Sequence, residues 1–226
     1  MVFTKKSNSR RPRKSYRKRP NFTKSVAKAI KTIALRNSEM KHLTTQTENI
    51  NIYHNVAYGV AYNMLLTNQG SSQIQRIGDE VTAKYLHIKM WISQKLDRPN
   101  VMYRIILMAA NSGQSLAWSA GSSGNYMIAN IDTDKVKVIR HKLIQPRNGD
   151  FSVESGATNR EHSQLVKFKI DLKDRKIKYT TDGGTTPKLD SNYYSLYIIP
   201  YDAYGTPTSD NIASFACQST FYYKDP

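Results

Sequence analysis

From about Leu43 onward the apolar residues of this chain recur with a period of two, a pattern that admits little besides β-structure. Val166, Phe168, Ile170 and Leu172 alternate with Lys167, Lys169 and Asp171, as in a strand with one face buried. Leu86, Ile88, Met90 and Ile92 share one side of a β-rich run from Val81 to Ile92. Val101 to Met108 is apolar at nearly every position, which predicts a central strand. Further strands are predicted near 46–53, 56–66, 135–143, 176–180, 193–201 and 212–223. Asp182-Gly183-Gly184 is a tight-turn signal, and Pro99, Pro146, Pro187, Pro200 and Pro207 are expected at strand ends or in loops. The Ser-, Gly-, Asn- and Ala-rich stretch 111–130 is a long connection with room for a short helix. Eight or nine strands with uneven loops and no internal repeat imply an all-β protein. The expected form is an eight-stranded jelly-roll sandwich.

Charge divides the chain a second way. The sequence of 226 residues has 34 Lys and Arg against 17 Asp and Glu, a net of +17. Residues 1–38 hold 13 of those cations and no acid, which leaves 21 against 17 in the rest, a net of +4. The expected organisation is therefore a basic arm, 1–41, and a nearly neutral jelly-roll domain, 42–226. A block of like charge repels itself, stays extended and binds polyanions. The densest stretch, Arg10 to Pro20, contains two prolines and is not expected to be helical. Beyond Pro20, Phe22, Val26, Ala29, Ile30 and Ile33 fall on one helical face with Lys24, Lys28 and Lys31 opposite, predicting a short amphipathic helix at about 21–37. Its apolar stripe needs a partner: another copy, the body or a membrane surface.

The candidate nucleic-acid-binding residues are Lys5, Lys6, Arg10, Arg11, Arg13, Lys14, Tyr16, Arg17, Lys18, Arg19, Lys24, Lys28, Lys31 and Arg36, with Tyr16 set to stack on a base. A solvated tail, a nuclear-import signal and a mitochondrial presequence are compatible with the same residues. The longest apolar run, Ile105 to Ala110, falls well short of the ~20 residues that span a bilayer, and the N-terminus has no apolar signal core. Neither a membrane protein nor a conventionally secreted one is expected.

Residues that carry chemistry are sparse. A single cysteine, Cys217, excludes an internal disulfide and a Cys-rich zinc site, and its place in an apolar strand predicts a core position. His42, His54, His87, His141 and His162 form no ligand spacing, and no nucleophile elbow, phosphate loop or dinucleotide fingerprint occurs. Asp79 and Glu80 are adjacent, so on a strand they would face opposite ways. Asp132-Thr133-Asp134 could hold calcium weakly or form a solvated acidic turn. No catalytic residue, metal site or cofactor is expected.

The segment QGSSQIQRIGDEVTAKYLHIKMWI, Gln69 to Ile92, resembles the turn and strand that enter the jelly roll in capsid proteins of small circular single-stranded DNA viruses. It is also similar to the coat protein of satellite tobacco necrosis virus, which has a comparable arginine-x-glycine-aspartate turn. MYRIILMAAN (102–111), DKVKVIRHKL (134–143) and the stretch from Tyr193 to Lys224 follow the family more loosely; only Arg76-Gly78-Asp79 is sharp. The resemblance implies a subunit of an icosahedral T=1 shell of about 60 copies that packages its own genome, with the arm facing inward. It implies a virion location, passage through the host nucleus and contact with import receptors. The family's calcium sites find no matching residues here. Apart from the resemblance, Gly78 suits a turn needing positive φ, and Arg76 is expected at a subunit contact or in solvent. The rival readings are an RNA-packaging coat protein, a cellular nucleic-acid-binding protein with a basic tail, and a hydrolase or lectin on the same scaffold. The cellular reading would require a basic face on the body as well.

Overall fold

The structure, a computed structural model, describes residues 25–30, 33, 38–95, 98, 100–111, 114–145, 162–180, 187–190, 192–203 and 206–225. The chain divides into two units, Met1–Asn37 and Ser38–Pro226. Among the described residues the second holds nine strands: β1 (Met40–Tyr53), β2 (Tyr58–Ala61), β3 (Glu80–Gln94), β4 (Val101–Ala110), β5 (Val136–Ile144), β6 (His162–Thr180), β7 (Lys188–Leu189), β8 (Tyr193–Asp202) and β9 (Asn211–Lys224). They form a five-stranded sheet in the order β1-β9-β3-β6-β7 and a four-stranded sheet in the order β2-β8-β4-β5, with antiparallel pairing throughout. The pairs β1:β9, β2:β8, β3:β6 and β4:β5 fall alternately in the two sheets. That is a single antiparallel ribbon wound into a sandwich, the topology of a jelly roll. The nine expected strand segments form the eight strands of the roll, because those at 166–172 and 176–180 are both part of β6, and β7 is a two-residue addition at the edge of β6.

Period two does the packing. Leu86, Ile88, Met90 and Ile92 of β3 meet Phe215, Cys217 and Phe221 of β9, and face Val101, Tyr103, Ile105 and Leu107 of β4 across the main core. The alternate residues of β4 are buried too: Ile106, Met108 and Ala110 join Tyr197, Ile199 and Val136 in a second cluster. Leu116, Trp118, Tyr126 and Ile131 from the connection after β4 cover that cluster. The central strands β4 and β8 of the four-stranded sheet are thus buried on both faces, as the sequence of β4 requires.

Arg104 fastens the cover. It is 6% exposed, and its Nη1 donates to the carbonyls of Tyr126 (2.6 Å), Met127 (3.3 Å) and Ala129 (2.7 Å). Its Nε donates to His141 Nε2 at 3.0 Å, and its guanidinium lies 5.5 Å from the Trp118 ring, which stacks on Tyr126.

Several expectations change. β1 begins at Met40, not near 46, because it pairs along β9 with side chains that are polar on both faces. β2 is only four residues long. The strands expected at 166–172 and 176–180 are one strand, β6, carrying an irregularity where Lys173 and Asp174 adopt positive φ opposite a bulge at Lys84. Among the described residues of 111–130 there are turns and a bridge between Trp118 and Ile131, but no helix. Pro187 and Pro207 lie outside strands and Pro200 lies near the end of β8, while Asp182-Gly183-Gly184, Pro99 and Pro146 fall outside the described residues. No helix among the described residues is long and apolar enough to cross a membrane.

Replacing Arg104 with Met would leave three carbonyls, that of Ala129 buried and those of Tyr126 and Met127 partly so, without their charged donor. Arg104→Met is expected to lower unfolding free energy by about 3 kcal/mol. Amide exchange should accelerate selectively in 114–131, while the main-core strands exchange only through global unfolding. Equal acceleration in β3 would refute the local lock.

Candidate functional site

Of the fourteen residues predicted to bind nucleic acid, the structure describes Lys28. It is exposed on a helical segment at 25–30, and residue 33 is helical as well. Val26, Ile30 and Ile33 of the expected stripe are 39%, 61% and 58% exposed, while Phe22 lies outside the described residues. Lys5, Lys6, Arg10, Arg11, Arg13, Lys14, Tyr16, Arg17, Lys18, Arg19, Lys24, Lys31 and Arg36 lie outside the described residues.

The sharpest sequence signal, Arg76-Gly78-Asp79, is a structural lock. Arg76 is neither at the surface nor in solvent: its exposure is 0%. It donates to Thr67 O (3.4 Å), to Gly78 O and to Asp79 Oδ1 (3.1 Å), and its guanidinium lies 4.5 Å from the Tyr179 ring of β6. Asp225, just past β9, accepts from the Ile77 amide and from Lys41 Nζ, and Lys41 also donates to Gln75 O. The turn before β3 is thereby tied to β1, β6 and β9. Gly78 does not carry the expected positive φ, and an added Cβ there would meet nothing nearer than 4.0 Å. The buried guanidinium holds the turn instead. Lysine cannot reproduce the planar fork, so Arg76→Lys should lose about 3 kcal/mol of stability in a urea titration. An unchanged midpoint would show the buried cation to be dispensable.

The other chemically suggestive groups also resolve as structure. Asp132 accepts from the Asp134 amide at 3.1 Å and pairs with Lys135 at 3.0 Å, which makes a solvated acidic turn. No cluster of three or more metal-ligating side chains occurs among the described residues. Asp79 pairs with Arg76, and Glu80 with Lys176. Cys217 is buried in the main core, and burial pushes its thiol up to about 12, away from nucleophilic use.

His54 is buried beside two carboxylates. Its Nδ1 accepts from the Asp202 amide at 3.0 Å, and Arg98 bridges Asp210 and Asp202 nearby. Burial holds its pKa below the ordinary histidine value, outweighing the upward pull of Asp202 and Asp210. A histidine depressed in the folded state stabilises the fold fully above the unfolded value near 6.5, and the gain is lost as pH falls below it. His54→Asn keeps an acceptor and removes the titration. Its melting temperature should decline less than that of the parent between pH 7 and pH 5; identical declines would clear His54 of the effect.

Among the described residues the five-stranded sheet has no cover like that of its partner, and its outer face is ordered in rows. One row reads His42, Tyr222, Tyr85, Asp171; the next Thr44, Thr220, His87, Lys169; then Gln46, Gln218, Lys89, Lys167; then Ala216, Trp91, Leu165. Tyr222 lies 5.9 Å from His42, 5.0 Å from His87 and 5.7 Å from Tyr85, ring centre to ring centre. Lys169 Nζ lies 5.6 Å from the centre of the Tyr85 ring. Burial, then Lys169 and Lys89, hold the His87 pKa down. Trp91 is 47% and Leu165 44% exposed. Sequence reasoning read Lys167 and Lys169 as the wet side of a strand. The available signal was the outward parity of β3, where Tyr85, His87, Lys89 and Trp91 follow one another.

No family model matches the chain, and no curated protein matches it. Among solved structures, a chain from Desmodium yellow mottle tymovirus is similar at 12% identity with a TM-score of 0.34, over 100% of this chain and 94% of that one. The jelly-roll assignment rests on the strand order described above.

Proposed function

We propose that this chain is the coat protein of a small single-stranded DNA virus, which assembles into an icosahedral shell and packages its genome through the arm. The observation that carries the reading is the junction of two parts: an acid-free segment with 13 cations in residues 1–38, and a jelly roll whose first strand begins at Met40. A neutral sandwich can pack against copies of itself while a cationic arm meets phosphate. Phosphate contacts carry no base identity, so the preference for DNA over RNA comes from the resemblance of Gln69 to Ile92. In a shell of about 60 copies the arms bring on the order of 780 positive charges, enough to neutralise roughly one kilobase of single strand. The exposed stripe of Val26, Ile30 and Ile33 would join copies of the helix near the inner surface. The protein would reside in the virion and pass through the host nucleus, its arm serving import receptors. The role is structural, not enzymatic.

Negative-stain imaging of purified protein should show uniform closed shells, and nuclease digestion of the extracted nucleic acid should identify DNA. In those shells a Lys/Arg-specific protease should cut the arm slowly, and in disassembled subunits quickly. Equal cleavage in both, or a monodisperse monomer under all conditions, would sink the coat-protein reading.

A further inference from the structure

We propose that the outer face of the five-stranded sheet is a second nucleic-acid site, which takes single strands by stacking bases on Trp91 and the Tyr85–His87–Tyr222 cluster and pairing phosphates with Lys89, Lys167 and Lys169. The site belongs to the body and does not depend on the shell or on the arm.

Register supplies the first argument. Lys89 stands directly opposite Lys167, and Lys169 is the next outward residue of β6. Like charges placed across strands destabilise a sheet. Among the described residues no carboxylate lies within salt-bridge distance of any of the three. Asp171 stands beside Tyr85, and Glu48 lines one groove with Lys89 and Trp91, yet neither forms an ion pair with any of the three lysines. A polyanion relieves that repulsion. A second copy of the same face would double it.

Spacing supplies the second. Outward residues of one strand stand about 6.8 Å apart, so Tyr85, His87, Lys89 and Trp91 spread ring, ring, cation and ring over roughly 20 Å of β3. Tyr85 and His87 stack on each other with centres 5.7 Å apart. A half-buried ring cluster, an exposed lysine and an exposed indole in line on a sheet suit unpaired bases, each of which offers a π-face to a ring while its phosphate meets a lysine. Paired bases in a duplex present no such faces to a sheet surface, so the ligand class is single-stranded.

The chain has two tryptophans, Trp91 and Trp118, and Trp118 lies in the other sheet's cover, half-buried against Tyr126. Full-length chain carrying Trp118→Phe therefore reports on Trp91 alone. Titration with a 20-nucleotide oligothymidylate should quench that fluorescence, whereas inorganic polyphosphate should bind without quenching it. In the parent chain Trp91→Ala should weaken oligothymidylate binding about tenfold. Combined Lys89→Ser, Lys167→Ser and Lys169→Ser should lower the slope of log affinity against log salt by about two. Lys89, Trp91, Lys167 and Lys169 are exposed, and unchanged thermal unfolding would confirm intact folds.

A parallel chain with Arg10, Arg11, Arg13, Arg17 and Arg19 changed to Gln separates this site from the arm. Retained quenching at saturating oligonucleotide in that chain supports the sheet site. Parental affinity and salt slope in the sheet variants, with binding lost in the arm variant, would overturn the sheet site and leave the coat-protein reading intact. The reverse pattern would uphold the sheet site and remove the arm from packaging. Equal quenching by polyphosphate would overturn base stacking. Altered self-association of the sheet variants at unchanged oligonucleotide affinity would assign the face to contacts between copies and overturn the proposal.

Discussion

β4 and β8 are apolar on both faces, and neither can be buried without a layer on each side. One face is satisfied by the five-stranded sheet and the other by the connection between β4 and β5, which must close over Ile106, Met108 and Tyr197. The demand of this central pair explains the irregular connection, the Arg104 lock that gathers its carbonyls, and the stacking of Trp118 on Tyr126. It also fixes an asymmetry. The central pair sits in one sheet only, and among the described residues the other sheet is covered on one face alone. The two faces of the sandwich differ because the strands at their centres differ in apolar parity.

That asymmetry bears on how net charge should be read. A body of +4 suggests no basic surface, yet net charge averages over faces. Lys89, Lys167 and Lys169 are gathered by register, while much of the acid is spent on buried or local pairs: Asp225 with Lys41, Asp79 with Arg76, Asp210 with Arg98. The basic face required by the cellular nucleic-acid-binding reading therefore exists in small form, and the body's net charge does not argue against that reading.

Legibility followed the strength of the periodic signal. β3, β4, β8 and β9 were legible within a few residues because at least one parity in each is mainly apolar and buried, whereas β5 is buried only at its ends, Val136 and Ile144. The start of β1 was not: from Met40 to Gln46 it is held at the edge by pairing with β9 and by bonds such as Thr45 to Ser219, with no buried stripe to betray it. Lys173-Asp174 read as a break because two positive-φ residues look like a turn, and only pairing with β3 shows the strand continuing. The Arg76 turn was visible as a pattern, but its role was not. An arginine in a polar loop reads as exposed until Tyr179 and Asp79 close around it. The cationic arm is legible in the sequence as composition alone, whereas the sheet face needs the register of four strands, which no local pattern encodes.

The pairing of β1 with β9 joins the two ends of the body, and Lys41 meets Asp225 at a separation of 184 positions. Closing a loop of that length costs about 4–5 kcal/mol of chain entropy before any contact rewards it, and topologies of this kind fold slowly. β1 also stays at an unpaired edge until β9 has been synthesised. During translation the cations of residues 1–38 leave the ribosome before any strand of the body, and β9, which completes the sandwich, leaves after every other strand. For that interval the chain is a polycation attached to unpaired strands. Polyanions in the surroundings can hold it before the body has closed, so capture of nucleic acid and completion of the fold compete in time.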